Sequence, residues 1–341
     1  MATLKAAVIG AGAIAHHCHL PGYQQHSDCQ LVALAEIDPS RAARAAEHFG
    51  VPRTYQDYRQ MLEREELDMV SVCTPNYLHH EMAEAVARRG VHLLLEKPVA
   101  LSVTDAVAIR QAVRAAGVQC MVGFTHRFYH GNEQARQLIR DGAIGEPFMI
   151  RVRFAHKGPQ PGWAMSDWFY RRAKSGGGAL LDMGIHAMDI CRYMLGPVAS
   201  VSALVGTLRK DIEVDDNAVL SLDFAPKRAF GYVEVGWTSC PGFTGLEIYG
   251  EGGTIIIDYA KPVELILGSI GPDGVDRTER QQLPPPPGPQ GWPRQMAGFI
   301  GSIRDGREVP VGIDDGVAAT AVAEAAARSA ELGRSIEVAP V

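Results

Sequence analysis

Residues 8–15 read VIGAGAIA, and these eight residues decide the first half of the fold. An apolar run ends in Gly10, Gly12 and Ala15, the spacing of a strand that turns tightly into a helix beneath a pyrophosphate. Gly10 permits the turn, Gly12 lets the backbone approach the ligand, and Ala15 keeps the helix close to the sheet. Ala13 and Ile14 lie in the first helical turn, whose N–H groups and positive dipole end favour an anion. Alone such a triplet is weak; its place at the first turn of a β/α alternation strengthens it. The next apolar run, CQLVALAE, ends at Glu36, where a dinucleotide site wants an acid for the ribose hydroxyls. A carboxylate there repels a 2′-phosphate, so NAD is favoured, while Arg41 and Arg44 close by leave NADP open.

The alternation continues to residue 122. LKAAVIG, CQLVALAE, DMVSVCT, VHLLLE and VQCMVG read as strands, separated by the helical patterns PSRAARAAEHF, LHHEMAEAVARRG and VTDAVAIRQAVRAAG. This rhythm predicts a parallel sheet with right-handed crossovers, a Rossmann domain over residues 1–122. Near residue 123 the rhythm changes. A helix over 132–141 leads into the strand EPFMIRVRFAH, a loop rich in Gly, Pro and Trp, and then strand after strand: VASVSALVG, NAVLSLDF, AFGYVEVGW, GLEIYGE, GTIIIDY and VELILG. Residues 123–341 therefore read as an α+β domain with a large, mostly antiparallel open sheet, and the whole chain as α/β. Such a sheet needs a cover for its outer face, so a homodimer or homotetramer through it is expected. QQLPPPPGPQGWP (281–293) reads as a polyproline spacer leading to helices near 294–304 and 314–332.

Composition excludes several classes. With 46% apolar and 21% charged residues over 341 positions, the chain can bury a sizeable core. A net charge of −6 gives no electrostatic reason to expect nucleic acid or an anionic membrane. The 6 cysteines form no CxxC pair, which suits buried free thiols in a reducing compartment. The N-terminus lacks the pattern of a signal peptide and no run is long enough to span a bilayer, so a soluble cytoplasmic protein is expected. HHCH at 16–19 invites a metal reading, but four consecutive helical residues point in different directions, so no metal is expected.

Residues 175–196, SGGGALLDMGIHAMDICRYMLG, place a carboxylate and an imidazole in an apolar segment just after a glycine hinge. At helical spacing Asp182, His186, Asp189 and Tyr193 share one narrow stripe that carries no lysine or glutamate. That is odd for a solvent face and suits the wall of a cleft. Gly184, unfavourable by ~1 kcal/mol inside a helix, suggests close approach of a cofactor or backbone.

CTPNYLHHEMA (73–83), LLLEKPVALS (93–102) and GGGALLDMGIHAMD (176–189), in this order after the leading glycine motif, make the chain resemble the Gfo/Idh/MocA oxidoreductases over nearly its whole length. GFTHRF (123–128) and YGEGGTIIID (249–258) extend the likeness. The resemblance implies hydride transfer between NAD(P) and a secondary alcohol of a sugar, cyclitol or related compound. Carried over by position, it implies Lys97 as active-site lysine and Asp182 and His186 as its Asp-x-x-x-His pair. It also implies that Thr74, Pro75, Asn76, His79 and Glu96 lie near the cofactor. Thr125-His126-Arg127 stands where relatives commonly have Asn-Arg-Arg, leaving Arg127 as a substrate contact.

The chemistry suits these residue types. Oxidising an alcohol needs a base for the hydroxyl proton, and histidine is the natural one near neutrality. An ammonium such as Lys97 can stabilise the developing alkoxide, and Asp182 can orient His186 or bind a neighbouring hydroxyl. Among the loop residues, Trp163 and Trp168 could stack on a sugar ring, and Arg171 could hold an anionic group. Two rival readings remain at this point: a catalytically silent nucleotide-dependent regulator, and an NAD-dependent glycosidase that oxidises transiently.

Overall fold

The computed structural model describes residues 3–160, 164–270 and 274–341. Its first sheet contains β1 (Leu4–Ile9), β2 (Cys29–Ala35), β3 (Arg53–Tyr55), β4 (Met69–Val72), β5 (His92–Leu95) and β6 (Cys120–Val122). The order is β3-β2-β1-β4-β5-β6, and every neighbouring pair is parallel. Met69–Val72 and Leu93–Leu95 are wholly buried, as strands covered by helices on both faces must be. Strand order reverses between β1 and β4, which opens a crevice beyond their C-terminal ends. Gly10 leaves β1 and Cys73 leaves β4 at that edge.

Local chemistry sets the helices. Asp38 caps the helix Pro39–Phe49 by accepting the N–H groups of Ser40 (2.9 Å) and Arg41 (3.1 Å), and Gly50 ends it at φ 66°. Two features depart from the sequence reading. The helix after the glycine turn begins as a π turn over Ala15–His19 before Leu20–Gln24. The strand β3 is an unanticipated edge of three residues, two of them exposed, so it carries no apolar alternation to read.

The second sheet contains β7 (Pro147–Ala155), β8 (Ser200–Gly206), β9 (Asn217–Asp223), β10 (Phe230–Gly236), β11 (Phe243–Gly250), β12 (Gly253–Asp258), β13 (Val263–Ile270), β14 (Asp276–Leu283) and β15 (Ile336–Glu337). Its order is β14-β13-β12-β11-β7-β10-β9-β8-β15, antiparallel except for the parallel pair β7–β10. Alternation is clean where one face is covered. Ala218, Leu220 and Leu222 are buried, whereas Leu204, Phe230 and Tyr232 lie exposed on the outer face. The strand β14 (DRTERQQL) was not expected, because it is an almost entirely exposed edge; it takes in residues 281–283, so the proline-rich connector begins later than the sequence suggested.

The buried face of this sheet packs against the helices Ile185–Leu195 and Ile313–Leu332, and the second of these also touches the helix Val103–Ala116 of the first sheet. Among the described residues no helix is long and apolar enough to cross a membrane.

Candidate active site

A cavity of about 1060 Å³ runs from the glycine turn after β1, across the ends of β4 and β5, to the segment 182–186. The turn itself explains one glycine and not the other. A Cβ on Gly10 would sit 2.9 Å from the Cys73 carbonyl oxygen, at φ +94°. On Gly12 it would meet nothing nearer than that same oxygen at 4.0 Å, yet Gly12 lines the cavity. The protein's own packing therefore does not demand glycine there, and the open space beside the turn leaves room for a dinucleotide pyrophosphate. Ala13 and Ile14 line the cavity beside it, while Ala15 is fully buried against the sheet.

Glu36 is buried at the edge of the cavity. It accepts the Ala11 N–H (2.7 Å) and the Asp38 N–H (3.0 Å), which pins the carboxylate beside the turn. Arg41 lies 3.4 Å from Glu36 and 3.9 Å from Asp38, so its charge is already matched by carboxylates.

Glu96 and Lys97 follow β5. The His19 ring lies 2.9 Å from Glu96 Oε1 and 2.9 Å from Ser71 Oγ, which in turn meets the Tyr23 hydroxyl at 2.8 Å. A Cβ on Gly123 would come within 2.8 Å of the Glu96 carboxylate, so glycine there makes room for the acid. Lys97 Nζ donates to Asp182 Oδ1 (2.6 Å) and to the Asp182 carbonyl (3.1 Å). The other carboxylate oxygen, Oδ2, accepts Trp237 Nε1–H at 3.2 Å.

The Gly176–Gly178 turn places Asp182. A Cβ on Gly178 would lie 1.7 Å from the Asp215 carbonyl oxygen, and the Asp215 carboxylate accepts the N–H groups of Gly178 (2.8 Å) and Leu180 (2.7 Å). A π turn over Leu180–Gly184 follows before the α-helix begins at Ile185. The widened turn breaks the regular stripe expected of this segment. Asp182 faces Lys97 and Trp237, and no hydrogen bond joins it to His186 among the described residues. Asp182 therefore does not orient His186 as the four-residue spacing suggested.

His186 is buried, with its ring 4.5 Å from that of His126 and 6.0 Å from that of Phe124. Its Nδ1 is sealed from solvent and has no partner among the described residues. Burial, then His126 and Lys97, push its pKa well below the ordinary value, so the ring is neutral. Burial and Lys97 likewise bring His126 down to about 3. His156 also lines the cavity, and burial lowers its pKa. Its Nδ1 accepts the Gly158 N–H at 2.8 Å, so the neutral ring carries its proton on Nε2.

Other expected contacts lie elsewhere. Arg127 is no cavity residue. It is clamped by Asp189 (2.8 and 2.5 Å) and Asp315 (2.8 Å), with Tyr193 below its guanidinium, so Asp189 and Tyr193 serve this buried ion pair rather than the cleft. Arg171 is exposed and paired with Asp167 and Glu213, away from the cavity. His79 is fully buried, with ring nitrogens 2.7 Å from Pro98 O and 2.9 Å from Thr74 O, clasping the two turns from behind. Thr74, Pro75, Asn76 and Trp168 do line the cavity. Trp163 lies outside the described residues. The HHCH residues diverge: His16 bonds the Gly12 carbonyl, His17 stacks on Trp292 and His19 points into the core. Sequence reasoning missed Trp237, His156 and Tyr259, which approach the site from distant strands and loops.

A family model described as "Oxidoreductase family, NAD-binding Rossmann fold" matches residues 4–124, and the "GFO/IDH/MocA C-terminal domain" matches residues 132–256. The chain belongs to the Gfo/Idh/MocA family. As a member of that family it is an NAD-binding oxidoreductase. The D-glucoside 3-dehydrogenase of Escherichia coli is 34% identical over 202 residues, covering 59% of this chain and 57% of that one. The myo-inositol 2-dehydrogenase of Thermotoga maritima is 26% identical over 346 residues and 98% of each chain. The crystal structure of a levoglucosan dehydrogenase with NADH and levoglucosan superposes with a TM-score of 0.85 at 26% identity, covering 99% of this chain and 100% of that one.

Proposed function

We propose that this Gfo/Idh/MocA oxidoreductase moves a hydride between NAD and a secondary alcohol of a sugar or cyclitol, with Lys97, Asp182 and His186 as the acting side chains. The supporting observation is that one cavity holds the open Gly12 turn at one end and the Lys97–Asp182 pair beside a neutral His186 at the other. The relatives named for glucosides, inositol and levoglucosan point to the same substrate class.

In oxidation, the carbinol C–H bond breaks with its electron pair leaving as hydride while the O–H proton passes to a base, and the carbon–oxygen bond becomes a carbonyl. Bound NAD supplies the hydride acceptor; Gly12, Ala13 and Ile14 would lie against its pyrophosphate and Glu36 against its ribose hydroxyls. Of the cavity histidines, His156 has its Nδ1 taken by a donor, which leaves it an N–H at Nε2 and no lone pair for a proton. Among the described residues no group donates to His186 Nδ1, so its ring is not held as a donor in that way, and the neutral imidazole is the one assigned to take the hydroxyl proton. Lys97, steered by Asp182, donates to the same oxygen as alkoxide charge develops. Asp182 is itself held by Trp237, so the direction of the lysine that follows β5 is set by two residues from the second half of the chain.

The outer face of the second sheet, with Leu204, Phe230 and Tyr232 exposed, supports a homodimer or homotetramer through that face, which sedimentation of the purified protein would test. The functional test is NADH formation from NAD with sugars and inositols. His186→Ala and Lys97→Met should abolish turnover while cofactor binding survives; turnover close to wild type in either variant removes that residue from its role.

A further inference from the structure

His126 stands in the loop after β6, its ring stacked on Phe154 (centroids 4.6 Å) and 4.5 Å from the ring of His186. Its Nδ1 lies 2.8 Å from the Tyr259 hydroxyl. That hydroxyl oxygen already accepts a hydrogen bond from Asn132 Nδ2 at 2.5 Å, and the same amide donates to the His126 carbonyl at 2.7 Å. The amide cannot be reversed, because its oxygen would then face a carbonyl oxygen. Tyr259 must therefore place its one proton on the line to His126 Nδ1; otherwise that O–H is buried without an acceptor. With Nδ1 accepting, the proton of the neutral ring sits on Nε2, which has no hydrogen-bond partner among the described residues, in a residue that lines the cavity.

We propose that Asn132 and Tyr259 fix His126 as the Nε2–H tautomer, and that this N–H donates to the substrate hydroxyl adjacent to the carbinol held by His186. The inference rests on the polyol reading of the site. Two imidazoles side by side thus divide the work on a vicinal diol: His186 takes a proton and His126 gives a hydrogen bond. His126 cannot substitute as the base, since its outward nitrogen carries hydrogen. Its pKa of about 3 keeps it neutral throughout the working range, so the donor is present at any ordinary pH. The site would then demand an oxygen on the neighbouring carbon, a specificity that Lys97, Asp182 and His186 alone do not impose. Tyr259, which acts through His126, is a positioning residue.

The test has two arms. Nitrogen-15 histidine NMR of the free protein, with the His126 signal assigned by its loss in His126→Gln, reads the tautomer directly. Nε2–H in the wild type, lost or mixed in Tyr259→Phe, is expected; Nδ1–H in the wild type overturns the proposal whatever the activity. The second arm measures kcat/KM with NAD for myo-inositol and methyl β-D-glucopyranoside and for their monodeoxy derivatives. Removing the hydroxyl next to the oxidised carbon should cost the wild type roughly ten- to hundred-fold. His126→Phe should lose a similar factor on the parent polyol, mainly in KM, and no longer distinguish it from the deoxy derivative. His126→Gln, whose amide can donate from a similar place, should recover part of the loss. If the wild type oxidises polyols but His126→Phe discriminates the deoxy derivative as well as before, the proposal is wrong while the dehydrogenase reading stands. If the wild type oxidises neither polyol, and neither one in the presence of NADH shifts the His126 resonance, the polyol reading fails and the proposed substrate contact fails with it.

Discussion

Replacing Gly178 with alanine tests how the site is built. The new methyl would lie 1.7 Å from the Asp215 carbonyl oxygen, 2.7 Å from its carbon and 2.9 Å from its nitrogen, where about 3.5 Å is comfortable. All three neighbours are backbone, so no side chain can swing aside. Relief needs a backbone shift of about 2 Å, which would pull apart the Ala179 N–H to Asp215 carbonyl bond and the two bonds from Gly178 and Leu180 to the Asp215 carboxylate. Overpacking strain of about 1–3 kcal/mol plus about 1–3 kcal/mol for groups left unpaired gives a loss on the order of 4 kcal/mol. That is a large share of an ordinary domain's stability. Gly177→Ala is the control: its methyl would meet only the Leu181 side chain, at 3.2 Å and beyond, and the Asp215 carboxylate at 3.7 Å, so the cost should stay within about 1 kcal/mol. Denaturant unfolding of the three proteins reads the difference. Any Gly178→Ala protein that folds should also lose turnover, because Asp182 and His186 follow on the displaced segment. A Gly178→Ala protein within about 1 kcal/mol of wild type would refute the argument.

Gly12→Val should weaken NADH binding at least about ten-fold, or ~1.4 kcal/mol, without moving the melting temperature; NADH fluorescence titration and calorimetry check this, and unchanged binding would show that no ligand uses the turn. Glu36→Ser should shift preference towards NADP by on the order of ten-fold, read as the ratio of kcat/KM values for the two cofactors. The pH profile follows from the buried His186. A base works deprotonated, and its lowered pKa keeps it so as pH falls, so the acid limb of kcat/KM for oxidation should lie below a free histidine's ~6.5. A limb centred at or above about 6.5 would mean that His186 is not buried as described or is not the base.

Strong local signals account for what was legible beforehand. The glycine turn, Glu36 at the end of β2 and the apolar runs of the first sheet carry their structure in neighbouring residues, and their boundaries moved little. The weak edges β3 and β14 were hidden because exposed strands lose the alternation that marks a covered face. Within the site, the sequence could align Asp182 with His186 only by assuming a regular helix. The π turn over Leu180–Gly184 separates their tasks, and Asp182 finds Lys97, 85 residues away in sequence, and Trp237 instead. Arg127 shows the same limit: nothing near it in sequence reveals that Asp189 and Asp315 hold it in the interior. His126 and Tyr259, 133 residues apart, meet only in the folded chain.

Hydride passage between NAD and a polyol carbon at the Lys97–Asp182–His186 cavity has a direct isotopic signature. Incubating the protein with NAD and C-deuterated polyols, and following deuterium into the reduced cofactor, tests it most directly. Deuterium should appear in NADH with wild type and be absent with His186→Ala and Lys97→Met proteins that still bind NADH. Cofactor binding without deuterium transfer from any sugar or inositol, and without the reverse reduction of the corresponding ketones, would contradict it.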